Sequence, residues 1–150
     1  MNDHLDVIDT TVERTYVWIR QVMEEAGLPD RHKAYLALRA VLHALRDWLT
    51  VEEASHLSAQ LPMLVRGIYF EGWRPSESPA RIRTQDEFSE RVSGYLPFGG
   101  GDFDIPSIVP AVYRVIARNV AEGETREVVE MLPAELRDLL EVGVSNARGR

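Results

Sequence analysis

Sliding the 150-residue chain along itself by 71 positions sets apolar residues on apolar residues without a gap. An internal repeat of this kind constrains the fold more than any composition figure, because each copy must build the same supersecondary unit. Leu38 falls on Val109, Val41 on Val112, Leu42 on Tyr113, Leu45 on Ile116 and Leu49 on Val120. Glu53 falls on Glu124, Leu57 on Val128, Leu61-Pro62 on Leu132-Pro133 and Val65 on Leu136. Shortening a loop of the second copy by two residues carries the match upstream, with Ile19 on Val92, Val22 on Tyr95 and Met23 on Leu96. The expected units are residues 1–73 and 84–142, packed together as one globular domain, with 143–150 as a flexible tail.

The spacing inside each copy is helical. Leu5, Ile8, Val12, Tyr16, Ile19 and Met23 advance in steps of three and four, as do Leu38, Val41, Leu42, Leu45 and Leu49, so each set predicts one apolar stripe of a long helix. Trp18 and Val7 lie off the first of these stripes, and no stretch alternates as a strand does. In "LTVEEASHL", Thr50 with Glu53 three residues on forms a capping box, so a helix begins directly after the one ending near Leu49. "AEGETREVV", with Gly123, does the same in the second copy. Pro62 and Pro133 each predict a break near residue 60 or 131, followed by a helix with proline in its first turn. The polar "RPSESPARIR", residues 74–83, reads as the link. The fold class predicted is all-α, a bundle of six to eight helices in two tandem pseudo-repeats.

Composition narrows the function classes. With 45% hydrophobic and 27% charged residues the chain reads as soluble and globular. No apolar run nears the roughly 18 to 20 residues of a membrane span. The start, "MNDHLDVIDT", lacks the basic-then-apolar order of a secretory signal, so a cytoplasmic location is expected. The absence of cysteine excludes disulfides, thiolate metal sites and cysteine nucleophiles. The net charge of −7 is spread along the chain: residues 1–75 hold 8 basic and 11 acidic groups, and residues 76–150 hold 9 and 13. Neither half carries the basic cluster that duplex binding demands, so no nucleic-acid partner is expected.

"ALRAVLHALRDWLTVEEASHLSAQLPMLVRGIYFEGWRP", followed by "AEGETREVVEMLPAELRDLL", resembles the bacterial family catalogued as domain of unknown function 2267. The resemblance spans roughly residues 8 to 140 and rests on "QLPMLVRG", the aromatic "YFEGWRP" and the "GE" before the second "LP". It implies a compact helical protein of a bacterial cytoplasm and carries no accepted catalytic residues.

No catalytic constellation stands out. His4, His32, His43 and His56 include no HExxH or paired ExxH pattern. The repeat sets Arg114 and Glu127 on His43 and His56, so both positions are expected to face solvent, and no metal is expected. "FGGGDFDIP", residues 98–106, lacks the lysine of a phosphate loop and the oxygens of a calcium loop. It reads as a connector in which Asp104 or Ser107 caps the next helix. The acid pairs Glu24-Glu25, Glu52-Glu53 and Glu87 with Glu90 flank apolar stripes and are expected on solvated faces. Glu53 and Glu124 read as helix-start acids. There is no GxSxG turn, and no cofactor is expected.

One asymmetry remains. The helix of "LPMLVRGIYFEGWRP" has its main stripe at Leu61, Leu64, Val65 and Ile68, and a second apolar line at Met63, Gly67 and Phe70 that continues to Trp73. In the other copy the equivalents of the first three are Ala134, Asp138 and Glu141. A helix apolar on two sides is buried on two sides: against the other repeat, a second chain or a ligand. Exposed, the line has the Met and aromatic content of an interface core. The function expected is a non-enzymatic interaction or assembly module, with a homodimer or another protein as partner. The alternative is a small-molecule or lipid-binding protein with an apolar pocket between the repeats, and a hydrolase or metal-dependent enzyme comes third.

Overall fold

A computed structural model describes residues 4–120, and all regular structure among them is helical. The six α-helices are α1 (Asp6–Ala26), α2 (Arg31–Trp48), α3 (Val51–Ser58), α4 (Met63–Phe70), α5 (Gln85–Gly94) and α6 (Ile105–Asn119). No helix among the described residues is long and apolar enough to cross a membrane.

Local chemistry sets the boundaries. Gly27 takes the left-handed conformation, φ 64°, that ends α1. Asp30 caps α2 by accepting from the Lys33 amide at 2.8 Å. Thr50 and Glu53 form the reciprocal capping box of α3, with bonds of 3.2 and 2.9 Å. Pro62 sits at the N-cap of α4, so the break predicted at this proline separates two short helices. Thr84 caps α5 through the Glu87 amide. Asp104 occupies the N-cap of α6 without capping a backbone amide, and its carboxylate instead accepts from the Ser107 hydroxyl at 2.6 Å.

Helix α2 is the centre of the molecule. Ten consecutive residues, Ala40 to Leu49, are buried, as expected of a helix with neighbours on every side. It packs against α1, α3, α4, α5 and α6. Leu38, Val41, Leu42, Leu45 and Leu49 are all buried, and so are Val109, Val112, Tyr113, Ile116 and Val120 of α6 and its end. The packing crosses over between the halves: α1 lies on α6, and α2 lies on α5. The 74–83 link is held down at its end, where the Ala80 amide donates to the Asp47 carbonyl and the Trp48 indole to the Ile82 carbonyl. The remainder of the second copy, with Glu124, Val128, Leu132-Pro133 and Leu136, and the tail at 143–150 lie outside the described residues.

Two stripes differ from expectation. On α1, Leu5, Ile8, Val12 and Tyr16 are exposed, while the buried face is Thr11, Thr15, Trp18, Ile19 and Val22. Threonine can take this face because both hydroxyls are answered. The Thr15 hydroxyl donates to the Thr11 carbonyl at 2.7 Å, and Thr11 Oγ1 accepts from the Leu64 amide at 2.8 Å. On α4 the buried residues are Val65 and Tyr69, with Leu61 buried just before the helix, whereas Leu64 is 42% exposed and Ile68 only half-buried. Tyr69 belonged to neither predicted line. Its hydroxyl donates to the Ala54 carbonyl at 2.9 Å, which satisfies the one polar atom of an otherwise apolar ring.

Candidate functional site

The predicted interaction line Met63, Gly67, Phe70 and Trp73 divides in the fold. Met63 and Gly67 are exposed, Met63 at 51%. Phe70 and Trp73 are half-buried against the core and stack on each other at 5.1 Å, and the Trp73 indole donates to Ser78 Oγ at 3.0 Å. Helix α4 lies on α1 and α2, both from its own half of the chain.

Met63 instead joins the start of α1. With Pro62 it lines a groove whose other wall is Val7, Thr10, Thr11 and Arg14. Leu5, Val7, Ile8, Val12, Tyr16, Met63 and Leu64 account for seven of the nine large hydrophobic residues exposed among the described residues. Their gathering along the first half of α1 and at the start of α4 distinguishes them from the scattered apolar residues of an ordinary surface. A second groove runs between α1, the 59–66 segment and the end of α6, where Arg14, Gln60, Arg66 and Asn119 alternate with Val17, Trp18 and Leu61.

A polar cluster lies at the opposite side of α2, and the sequence reading missed it. Arg46 and Asp47 are both buried. The Arg46 guanidinium donates from Nη1 to the carbonyls of Tyr69 at 2.8 Å and Glu71 at 2.6 Å, and from Nε to Asp47 Oδ1 at 3.2 Å. One turn earlier, His43 Nε2 donates to the Ile68 carbonyl at 2.7 Å. Helix termini leave their last carbonyls without intrahelical partners. Here α2 supplies donors from two successive turns to the end of α4. Asp47 also accepts from Arg91 Nε at 3.2 Å and from the Tyr95 hydroxyl, fastening α5 to α2. Burial, aided by the Asp47 carboxylate, pushes the Tyr95 hydroxyl above its ordinary range. Burial likewise holds His43 down at about 4, so the imidazole is neutral. Its Nδ1 is buried with no partner, and its ring meets Tyr95 edge to face at 5.1 Å.

The expectation that His43 faces solvent is therefore corrected: it is 1% exposed, and its Nε2 donates to the Ile68 carbonyl, which also accepts from the Glu71 amide at 3.3 Å. Glu25 is corrected as well. It is partly buried between α1 and α6, where Arg114 Nε at 2.8 Å and Arg118 at 2.5 Å bind its carboxylate. Burial raises its pKa, but the two arginines prevail and hold it below the usual carboxylate value. The signal that could have exposed the cluster was "HALRDW": adjacent opposite charges set between the apolar Leu45 and Trp48.

Among the described residues no group of three or more His, Asp or Glu side chains is arranged to hold a metal. No curated protein matches the chain. A family model does match, over residues 15–139, under the description uncharacterized conserved protein. The helical architecture and the matched span agree with the resemblance carried by "QLPMLVRG" and "YFEGWRP", and the chain belongs to the DUF2267 family.

Proposed function

We propose that the protein is a non-enzymatic assembly module that pairs with a second copy of itself through the outer line of α1. The observation that carries this reading is the row Leu5, Ile8, Val12 and Tyr16, four large apolar side chains at helical spacing that the fold leaves exposed. Charge complementarity selects a second copy as the occupant. Asp9 and Arg20 are 11 residues apart, three helical turns, and so share one rail beside the row. A two-fold axis crossing α1 near residue 14 brings two α1 helices together antiparallel. It sets Asp9 opposite Arg20 of the other copy, Val12 opposite Tyr16 and Leu5 opposite the half-buried Met23. In a two-fold contact every favourable pair occurs twice.

Sedimentation velocity over a concentration series tests this. The wild-type chain is expected to pass from monomer to dimer, and Val12→Glu to stay monomeric with an unchanged circular dichroism melt, since Val12 is exposed. A wild-type chain that stays monomeric at every concentration overturns the proposal.

A further inference from the structure

We propose that the recess between the end of α2, the 72–78 loop and α5 binds a small oxyanion, with Arg74 and Arg91 as its charged donors. The recess is about 140 Å³ and is lined by Arg46, Asp47, Arg74, Ser78, Arg91 and Tyr95, and by Gly72 and Glu77. Three arginines thus face two carboxylates, in a chain whose net charge is −7.

Some of the donors around the recess are already used and others are not. Arg46 commits Nε to Asp47 and Nη1 to the carbonyls of Tyr69 and Glu71, so it belongs to the wall. The Asp47 carboxylate accepts from Arg46, Arg91 and Tyr95, so its charge is answered from three sides. Arg91 uses only Nε for this bond. Its two terminal nitrogens have no hydrogen-bond partner among the described residues, and its side chain is 40% exposed. Arg74 meets Glu77 at 3.7 Å, beyond hydrogen-bond reach. Ser78 Oγ accepts from the Trp73 indole, so the hydroxyl proton remains to be donated.

A clamp between α2 and α5 would need only the Asp47 bonds to Arg91 and Tyr95. It gives no role to Arg74, which sits on the loop at the recess mouth. That loop is positioned rather than loose: Gly72 turns it at φ 73°, and Trp73 is held by stacking on Phe70 and by its bond to Ser78. The donors still unused at the recess are two guanidinium forks and a hydroxyl, beside the Glu77 carboxylate 3.7 Å from Arg74. Forks of this geometry match the paired oxygens of a carboxylate or phosphate group. The space, several times the roughly 30 Å³ of a water molecule, admits such a group with a small body attached.

The test is an NMR titration of the full chain with sodium phosphate, and separately with sodium acetate, at constant ionic strength and pH. The Nε–H signal of Arg91 and the indole N–H signal of Trp73 are followed. Saturable shifts of both are expected, with the Trp48 indole unmoved because it points to Ile82. Saturation by phosphate alone identifies a phosphate group, and saturation by acetate a carboxylate; either supports the proposal. Arg74→Gln, at a 76% exposed side chain, should leave the fold intact and weaken binding about tenfold, the loss of one charge-assisted bond. Arg91→Lys, which keeps the charge and loses the fork, should also weaken it. Shifts that drift without saturating, as with sodium chloride, or that persist undiminished in Arg74→Gln, overturn it.

Discussion

The guanidinium of Arg46, buried on α2, donates to the backbone carbonyl of Tyr69 on α4 at 2.8 Å, while the Tyr69 hydroxyl reaches the Ala54 carbonyl on α3 at 2.9 Å. Through these two residues the central helix, the α4 terminus and α3 are joined by bonds that a purely apolar contact would not orient. The same Arg46 answers Asp47, so one side chain serves both a helix end and a buried carboxylate.

Replacing Arg46 by Met should therefore cost about 3 to 5 kcal/mol of stability, because it leaves buried acceptors and a carboxylate short of a partner. Urea denaturation measures this directly. Arg46→Lys should recover only part of the loss, since a point charge cannot serve two carbonyls and Asp47 together. A loss below 1 kcal/mol for the Met variant would show that the cluster is not a structural support.

Stability should fall in mild acid through His43. Burial holds the folded imidazole at about 4, below its usual 6.5, with Arg46 and Arg39 adding to the effect and the Ile68 carbonyl opposing it. Below pH 6.5 the unfolded chain takes up a proton that the folded chain refuses, so acid favours unfolding. Above 6.5 neither state is charged and the effect vanishes. The contribution lost between pH 7 and pH 4 is about 3 kcal/mol. Comparing denaturation of wild type and His43→Gln across this range isolates it: the difference in stability should shift toward the variant as pH falls, and a constant difference would contradict the assignment.

Thr50→Ala should lower stability by about 1 kcal/mol, the usual worth of an N-cap, because the Glu53 amide loses its acceptor at 3.2 Å. A thermal melt checks this, and Thr50→Ser should melt close to wild type.

The proposed pairing of α1 with a second copy makes a charge-swap prediction. Asp9→Arg alone should weaken the dimer, since an arginine would then face Arg20 of the other copy at each of the two symmetry-related places. Asp9→Arg combined with Arg20→Asp should restore it. Exposed pairs are worth only about 0.2 to 1 kcal/mol each, but every substitution counts twice across a two-fold. Sedimentation equilibrium of the three chains decides it, and failure of the double variant to recover would rule out the antiparallel register.

Much of the architecture was legible in the residues. The all-helical class, the α2 stripe, the Thr50–Glu53 box and the break at Pro62 follow from chemistry that acts within four residues, and such signals keep their meaning wherever the helix is placed. The candidate sites were far less legible. The stripe Leu5, Ile8, Val12 and Tyr16 looked like core, because a hydrophobic pattern shows that a helix has an apolar side but not whether anything covers it. Half of the predicted surface line, Phe70 and Trp73, is largely taken up by packing.

The sequence by itself determined where helices start, stop and turn, since capping, proline geometry and periodicity are local. Only the tertiary structure decided that Arg46, Asp47 and His43 would be buried beside Tyr95 and the end of α4. Residues 23 to 48 positions apart must meet before a buried charge finds its partners. The cost of burying an unpaired charge, and the relief of pairing it, exist only once the helices are assembled.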